Sequence, residues 1–276
     1  MSDRDWHERL AALGLEIVGE PRALAGGDIA EVSRLETRQG AVVAKRDDPR
    51  TLAAEADGLR ALREAGSALI VPEVIALDDD LLVMEALDAG GRRDGARLGE
   101  GLRELHGVVG ETHGWPRDNR CGPTPQRNTP CADGRVFQRE QRLLALGRAC
   151  LERGSLERTT FAALERIARG LEAWLPDAPP RLVHGDLWSG NVLYTPRGPA
   201  IIDPAVYYHY PEVDLAMLTL FGHPGEAFFE AYWDGGAPDD WPRRERLFQL
   251  YPLLNHLLLF GGGYRGAVER TIAELA

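Results

Sequence analysis

The stretch Leu182-Val183-His184-Gly185-Asp186-Leu187-Trp188-Ser189-Gly190-Asn191, followed by Val192-Leu193-Tyr194 and Ile201-Ile202-Asp203-Pro204, constrains the fold more than any other part of the chain. Its short apolar runs read as strands, and Gly185 and Gly190 let the intervening loop turn sharply. The stretch carries a carboxylate (Asp186), an amide five residues later (Asn191) and a second carboxylate (Asp203), and a hairpin over 191–203 brings the amide and the second carboxylate together. That is the set a phosphoryl-transfer site requires. The first carboxylate orients an attacking hydroxyl and accepts its proton, while the amide and the second carboxylate hold Mg²⁺ against phosphates.

A chain of 276 residues forms one large or two modest domains. Its first third reads as strands over 16–18, 29–37 and 41–45, then a helix capped by Thr51. That helix repeats Leu52, Leu59, Leu62 and Ala65 at helical spacing and stops at Gly66. Two more strands follow over 72–77 and 81–85, joined at the Asp78-Asp79-Asp80 turn, which reads as solvated. After Asp88-Ala89-Gly90-Gly91, read as a linker, helices are expected over 95–109, 137–153, 160–174, 213–221, 227–233, 241–260 and 265–275. The Gly-, Pro-, Asn- and Thr-rich segment 110–135 reads as a functional loop. This order describes an α/β (α+β) chain: a small antiparallel-sheet lobe over 1–88 and a larger, mainly helical lobe over 89–276.

A net charge of −11 argues against nucleic acid as a partner, because phosphate neutralisation needs clustered Lys and Arg. No apolar run approaches the ~20 residues of a membrane span, and Met1 to Arg9 are polar rather than a signal sequence, so a cytoplasmic location is expected. Three cysteines without Cys-x-x-Cys spacing indicate neither zinc nor a disulfide framework. They read as free thiols, although a Cys121–Cys131 bridge is sterically conceivable.

His-Gly-Asp-x-x-x-x-Asn with a downstream Ile-Asp resembles the catalytic loop and metal-binding aspartate of the aminoglycoside phosphotransferase and choline kinase superfamily, kin to the protein kinases. The fuller match is to the fructosamine (ketosamine) kinases. His184 to Asn191, Ile202-Asp203-Pro204-Ala205-Val206-Tyr207-Tyr208 and Glu212-Val213-Asp214-Leu215-Ala216-Met217 are similar to that family's motifs. So are Asn119, Gly122 and Thr124-Pro125-Gln126-Arg127-Asn128 in the insert, and Leu250 to Leu257 with Phe260-Gly261-Gly262-Gly263-Tyr264 near the C-terminus. The resemblance implies a two-lobe protein-kinase-like fold that binds ATP and Mg²⁺ between its lobes. It also implies transfer of the γ-phosphoryl group to the 3-hydroxyl of a fructosamine or related ketosamine, a deglycation-type repair reaction.

Residue by residue, the resemblance makes Asp186 the base and Asn191 and Asp203 the metal ligands. Lys45 would hold the α- and β-phosphates and pair with Glu55, and Gly26, Gly27, Asp28 and Ile29 would turn over the phosphates. Glu85, Ala86 and Leu87 would form the adenine-binding hinge. Trp188, Gln126 and Asn128 are candidates for the acceptor site. His184 and Asp214 are expected to brace the loop, His256 to be a satisfied core histidine, and Met217, Leu218 and Leu220 to be helix packing. The chain departs from the family after Asn128, where Thr129-Pro130-Cys131-Ala132-Asp133 replaces tryptophans and a Phe-Phe pair. It also has Asp28 where some relatives carry a cysteine, so no thiol switch is expected there. Kinases of another acceptor (an aminoglycoside, amino alcohol or other sugar) and a silent nucleotide-binding protein are the alternatives. The expected assembly is a monomer.

Overall fold

The computed structural model describes residues 3–24 and 31–276. After helix α1 (Asp3–Ala12), strands β1 (Arg22–Ala23), β2 (Glu31–Thr37), β3 (Gly40–Arg46), β4 (Val74–Asp78) and β5 (Leu81–Glu85) form an antiparallel sheet in the order β1-β2-β3-β5-β4. Alternation along the strands divides their side chains between two faces. Val42, Ala44, Leu81 and Val83 pack with Leu35, Leu15 and Leu10 of α1 on one face. Leu82 and Met84 point to the other face and join Leu52, Ala56, Leu59 and Leu62 of helix α2 (Pro49–Glu64) in the main core. With both faces covered, β5 buries every residue from Leu81 to Met84. The same alternation puts Lys45 on the α2 side.

Helix α2 starts one residue-type choice earlier than its spacing suggests. The Asp48 carboxylate accepts the N–H groups of Arg50 (3.0 Å) and Thr51 (3.3 Å), so Asp48 rather than Thr51 is the cap. Pro49 follows at the first helical position, where its missing N–H costs nothing. The expected strand over 16–18 is reduced to a single bridge between Ile17 and Thr37. Helix α1 has no counterpart in the sequence reading because half of its residues are charged.

The segment after β5 is fitted rather than slack. Gly90 and Gly91 both donate to the Tyr194 carbonyl, at 3.1 and 2.8 Å, and a β-carbon at 91 would meet the Thr195 carbonyl at 2.1 Å. Beyond it come α3 (Gly95–Leu105), a hairpin of β6 (Asn119–Cys121) and β7 (Thr124–Gln126), α4 (Gly134–Phe137), a π-helical turn Gln138–Leu143, α5 (Leu144–Glu152) and α6 (Arg158–Arg169). Strands β8 (Arg181–Val183), β9 (Val192–Thr195), β10 (Gly198–Ile201) and β11 (Tyr207–His209) precede α7 (Glu212–Leu220), α8 (Glu226–Tyr232), α9 (Trp241–Phe260) and α10 (Arg265–Leu275). The helix expected over 137–153 is therefore three pieces, and the one over 160–174 ends at Gly170 before a 3₁₀ turn. The insert expected as a loop contains the β6–β7 hairpin, tied down by bridges His113–Cys131 and Gly114–Tyr208.

The main core runs without a break from α2 through β5 into α3, α5, α6, α7, α9 and α10. Leu218 belongs to it and Leu220 packs against it, as helix packing requires, and Met217 on the same helix is buried. The three cysteines are free. Asp80 is not merely solvated: Arg9 (2.7 Å) and Arg46 (2.8 Å) pair with it. Among the described residues no helix is long and apolar enough to cross a membrane.

Candidate active site

Two hairpin-like pairings bring the motif together. Strand β8 pairs antiparallel with β11, Val183 opposite Tyr207, and β9 pairs with β10, Val192 opposite Ile201. The loop leaving β8 (184–191) and the one leaving β10 (202–206) therefore run side by side. They are cross-linked where Ala205 N–H donates to the His184 carbonyl (2.9 Å) and Ile202 N–H to the Asn191 carbonyl (3.1 Å). Gly185 has φ +81°, and a β-carbon there would meet the Ala205 carbonyl at 2.2 Å, so only glycine fits. Asp203 sits in the left-handed region at φ +53°. Such a conformation costs roughly 1–3 kcal/mol and persists only where surrounding structure over-determines it.

Asn191 donates from Nδ2 to the Asp186 carbonyl (2.8 Å), which leaves its Oδ1 as an acceptor. Asp186 is half-buried at the turn. Burial pushes its carboxyl up to about 7, a hydrogen bond from the Cys121 thiol opposes the rise, and the carboxylates of Asp203 and Asp214 add to it. His184 is fully buried; its Nε2–H donates to the Ile202 carbonyl (2.9 Å) and its Nδ1 accepts Asp186 N–H (3.3 Å). That pairing suits the neutral ring, and burial lowers its pKa accordingly. Asp214, also fully buried, accepts the N–H groups of His184 (2.7 Å) and Gly185 (2.8 Å) and lies 3.1 Å from His106 Nε2. Both residues brace the loop.

Lys45 reaches the same point from β3. Its Nζ lies 2.7 Å from Glu55 Oε2 and 3.4 Å from Asp203 Oδ1. Burial works against its charge, but the carboxylates of Glu55 and Asp203 raise its pKa, so the ammonium is retained. Helix α2 presents Glu55 because it packs closely on the 203–206 segment. A β-carbon at Gly58 would lie 3.1 Å from Pro204 Cγ and 3.3 Å from a Val206 methyl.

At the hinge, Glu85 N–H donates to the Glu73 carbonyl (2.9 Å) and Ala86 N–H to the Ala41 carbonyl (3.1 Å). The Ala86 amide is thus committed to the sheet. The Leu87 amide makes no hydrogen bond with the described residues. Gly26, Gly27, Asp28 and Ile29 lie outside the described residues.

The acceptor-site candidates divide. Trp188 is 40% exposed, and its ring lies over Gly190, where a β-carbon would meet it at 2.2 Å. Gln126 and Asn128, by contrast, are 2% and 0% exposed. Gln126 is held by Asn119, the Ala205 carbonyl and the Tyr251 hydroxyl, and Asn128 by Asn119 and Arg142. They form a buried network behind the 203–206 segment instead of lining the mouth. Arg142 escaped the sequence reading, and Tyr251 entered it only as part of the Leu250 to Leu257 motif. An arginine beside Leu143-Leu144, in phase with the buried face of its helix, was the available signal. His256 is half-buried and satisfied, with Nδ1 2.7 Å from the Pro252 carbonyl.

Known proteins place this arrangement. The sequence profile of the fructosamine kinases matches residues 11–276. A Synechocystis protein named "Probable ketoamine kinase" is 38% identical over 233 residues, 80% of this chain and 77% of its own. A Thermobifida fusca crystal structure described as a "putative fructosamine-3-kinase" superposes with TM-score 0.89 at 33% identity, covering 98% of this chain and 97% of that one. An ADP-bound aminoglycoside phosphotransferase, 17% identical, shares the fold at TM-score 0.67 over 99% of this chain and 97% of its own. The small antiparallel sheet followed by a larger helical part is accordingly a protein-kinase-like phosphotransferase fold, and the chain belongs to the fructosamine kinase family.

Proposed function

We propose that this protein transfers the γ-phosphoryl group of ATP to the 3-hydroxyl of a ketosamine, a sugar joined to an amine, with Asp186 as the base that takes the hydroxyl proton. The observation that carries the reading is the convergence of Lys45, Glu55 and Asp203 on one point beside Asp186 and Asn191. A base works best when its pKa lies near the operating pH, which suits a carboxyl pushed up to about 7. Lys45 fixes the α- and β-phosphates, Glu55 fixes Lys45, and residues 1–88 and 89–276 act as the two lobes around the nucleotide. The Leu87 amide is the hinge donor to adenine. Trp188 offers an exposed ring against which the sugar packs.

Asn191 and Asp203 suit Mg²⁺. They supply two oxygen ligands, and among the described residues no cluster of three or more His, Cys, Asp or Glu could hold a metal ion. Mg²⁺ is commonly held by only one or two side chains, with waters and substrate phosphates completing its shell. When bound, it offsets phosphate charge during transfer. The Asp203 carboxylate and Asn191 Oδ1 are held ready for it by Lys45 and the Asp186 carbonyl.

The test is ADP release with a fructosamine acceptor and Mg·ATP, with NMR locating phosphate on the product. Phosphate on the 3-oxygen is the expected result. Release only with aminoglycosides or amino alcohols would reassign the acceptor, and binding of Mg·ATP without turnover on any acceptor would end the catalytic reading. The proposal includes a cytoplasmic monomer, checked by fractionation and size-exclusion chromatography.

A further inference from the structure

The insert and the helix after it carry a buried polar chain that ends on the backbone next to Asp203. Arg142, fully buried in the π-helical turn, donates from Nη2 to Asn128 Oδ1 and from Nη1 to the Arg127 carbonyl, both at 2.6 Å. Its guanidinium lies 4.1 Å from the centroid of the Tyr207 ring. Asn128 Nδ2 and Gln126 Nε2 each donate to Asn119 Oδ1 at 2.8 Å, and the Tyr251 hydroxyl donates to Gln126 Oε1 at 2.7 Å. At the far end Asn119 Nδ2 donates to the Val206 carbonyl (2.8 Å) and Gln126 Nε2 to the Ala205 carbonyl (3.3 Å).

Ala205 and Val206 join Asp203 to β11, and their remaining sides are also occupied. Ala205 N–H bonds the His184 carbonyl, Gly185 fits against the Ala205 carbonyl, and Gly58 of α2 fits against Pro204 and Val206. The left-handed Asp203 needs such confinement. We infer that Asn119 and Gln126, backed by Asn128, Arg142 and Tyr251, are positioning residues that hold 203–206 and so set Asp203 against Asp186. The insert acts on the chemistry from behind and does not grip the acceptor there. The inference rests on the kinase reading of Asp186 and Asp203.

The variants Asn119→Asp and Gln126→Glu replace an N–H donor by a carboxylate oxygen of nearly the same shape and keep the acceptor. A reacting group displaced by ~1 Å loses about 10²-fold in rate, so kcat is expected to fall by roughly 10–100-fold. The acceptor KM and nucleotide Kd stay little changed. In the ligand-free protein the amides of 203–206 exchange hydrogen for deuterium faster than in wild type. A raised acceptor KM at unchanged kcat would overturn the inference by making these residues acceptor contacts, and so would unchanged exchange with unchanged kcat. Should the carboxylate variants fail to fold, Tyr251→Phe removes one hydroxyl from the chain and must give the same kcat-only loss at smaller size. If wild-type protein phosphorylates no ketosamine, the functional reading fails, while exchange at 203–206 still decides whether the network holds that segment.

Discussion

The Asp214 carboxylate lies 2.8 Å from the Gly185 amide nitrogen, and its second oxygen takes the His184 amide at 2.7 Å, so one side chain from α7 anchors the start of the loop that carries Asp186. An unsatisfied buried donor costs about 1–3 kcal/mol. Asp214→Asn presents an N–H to one of these donors and is expected to lower unfolding free energy by about that amount, and Asp214→Ala by more. Urea denaturation measures both; unchanged stability in Asp214→Ala would mean the loop is held by other contacts.

Asp186→Asn keeps the shape of the turn and removes the proton acceptor. Turnover is expected to fall by ~10²–10⁴-fold, the usual worth of a positioned base, with nucleotide affinity nearly intact. Full activity in this variant, measured by ADP release, would remove Asp186 from the base role.

Gly58 lets α2 approach Pro204 and Val206 closely enough for Glu55 to meet Lys45. Helix propensity alone favours alanine there by about 1 kcal/mol, so Gly58→Ala sets that gain against a 3.1 Å contact with Pro204. The larger Gly58→Val pushes the helix outward, and weaker ATP binding by isothermal titration is expected, with a lower Tm. An unaltered Kd would show that Lys45 does not depend on the helix position.

Trp188 is exposed beside the turn, and Trp188→Ala is expected to raise the acceptor KM while leaving the ATP KM unchanged. Steady-state kinetics with each substrate varied in turn separates the two. A change confined to ATP would move Trp188 out of the acceptor site.

His113 and His209 face each other, Nδ1 to Nδ1, at 2.9 Å, and His209 Nε2 lies 3.0 Å from Gln138 Oε1. Burial lowers the pKa of both, His209 well below its ordinary value, with the His113 and Arg142 charges adding to the effect on His209. The unfolded chain thus binds protons near pH 6.5 that these two folded histidines refuse, so the pair's share of stability is complete above that pH and is lost as pH falls below it, while the raised Asp186 carboxyl contributes a share of opposite slope. The slope is about 1.4 kcal/mol per pH unit for each refused proton. In urea unfolding of the ligand-free protein between pH 7 and 5, His209→Gln should lose less stability than wild type as pH falls, a difference that isolates the pair from Asp186. The same pH dependence in wild type and His209→Gln would contradict the assignment.

Much of the geometry of the candidate loop was legible because its pattern is local. Asp186, Asn191 and Asp203 are separated by strands and turns whose residue types declare themselves, and the alternation of β3 is enough to place Lys45. The buried network was not legible for the opposite reason. Gln126 and Asn128 are polar residues among Gly, Pro and Thr, a composition that reads as exposed, and the Gln126 partners Ala205 and Tyr251 lie 79 and 125 residues away. Burial of an amide is a property of what folds over it. Helix α1 failed on similar grounds: its charged residues hide Leu10, which packs with Leu15 on the outer face of the sheet. The Ala86 amide shows a third limit, since only the sheet register reveals that Ala41 already uses it.

The rungs between 184–191 and 202–206 also say how this protein can change over generations. Each loop is the measuring stick of the other: inserting one residue between Gly185 and Asn191, or between Ile202 and Val206, would slide Ala205 past His184 and Ile202 past Asn191 together. Length variation among descendants should therefore be excluded from both segments at once and tolerated at surface connections such as the one between α8 and α9, so the reacting centre drifts in residue type without ever drifting in length.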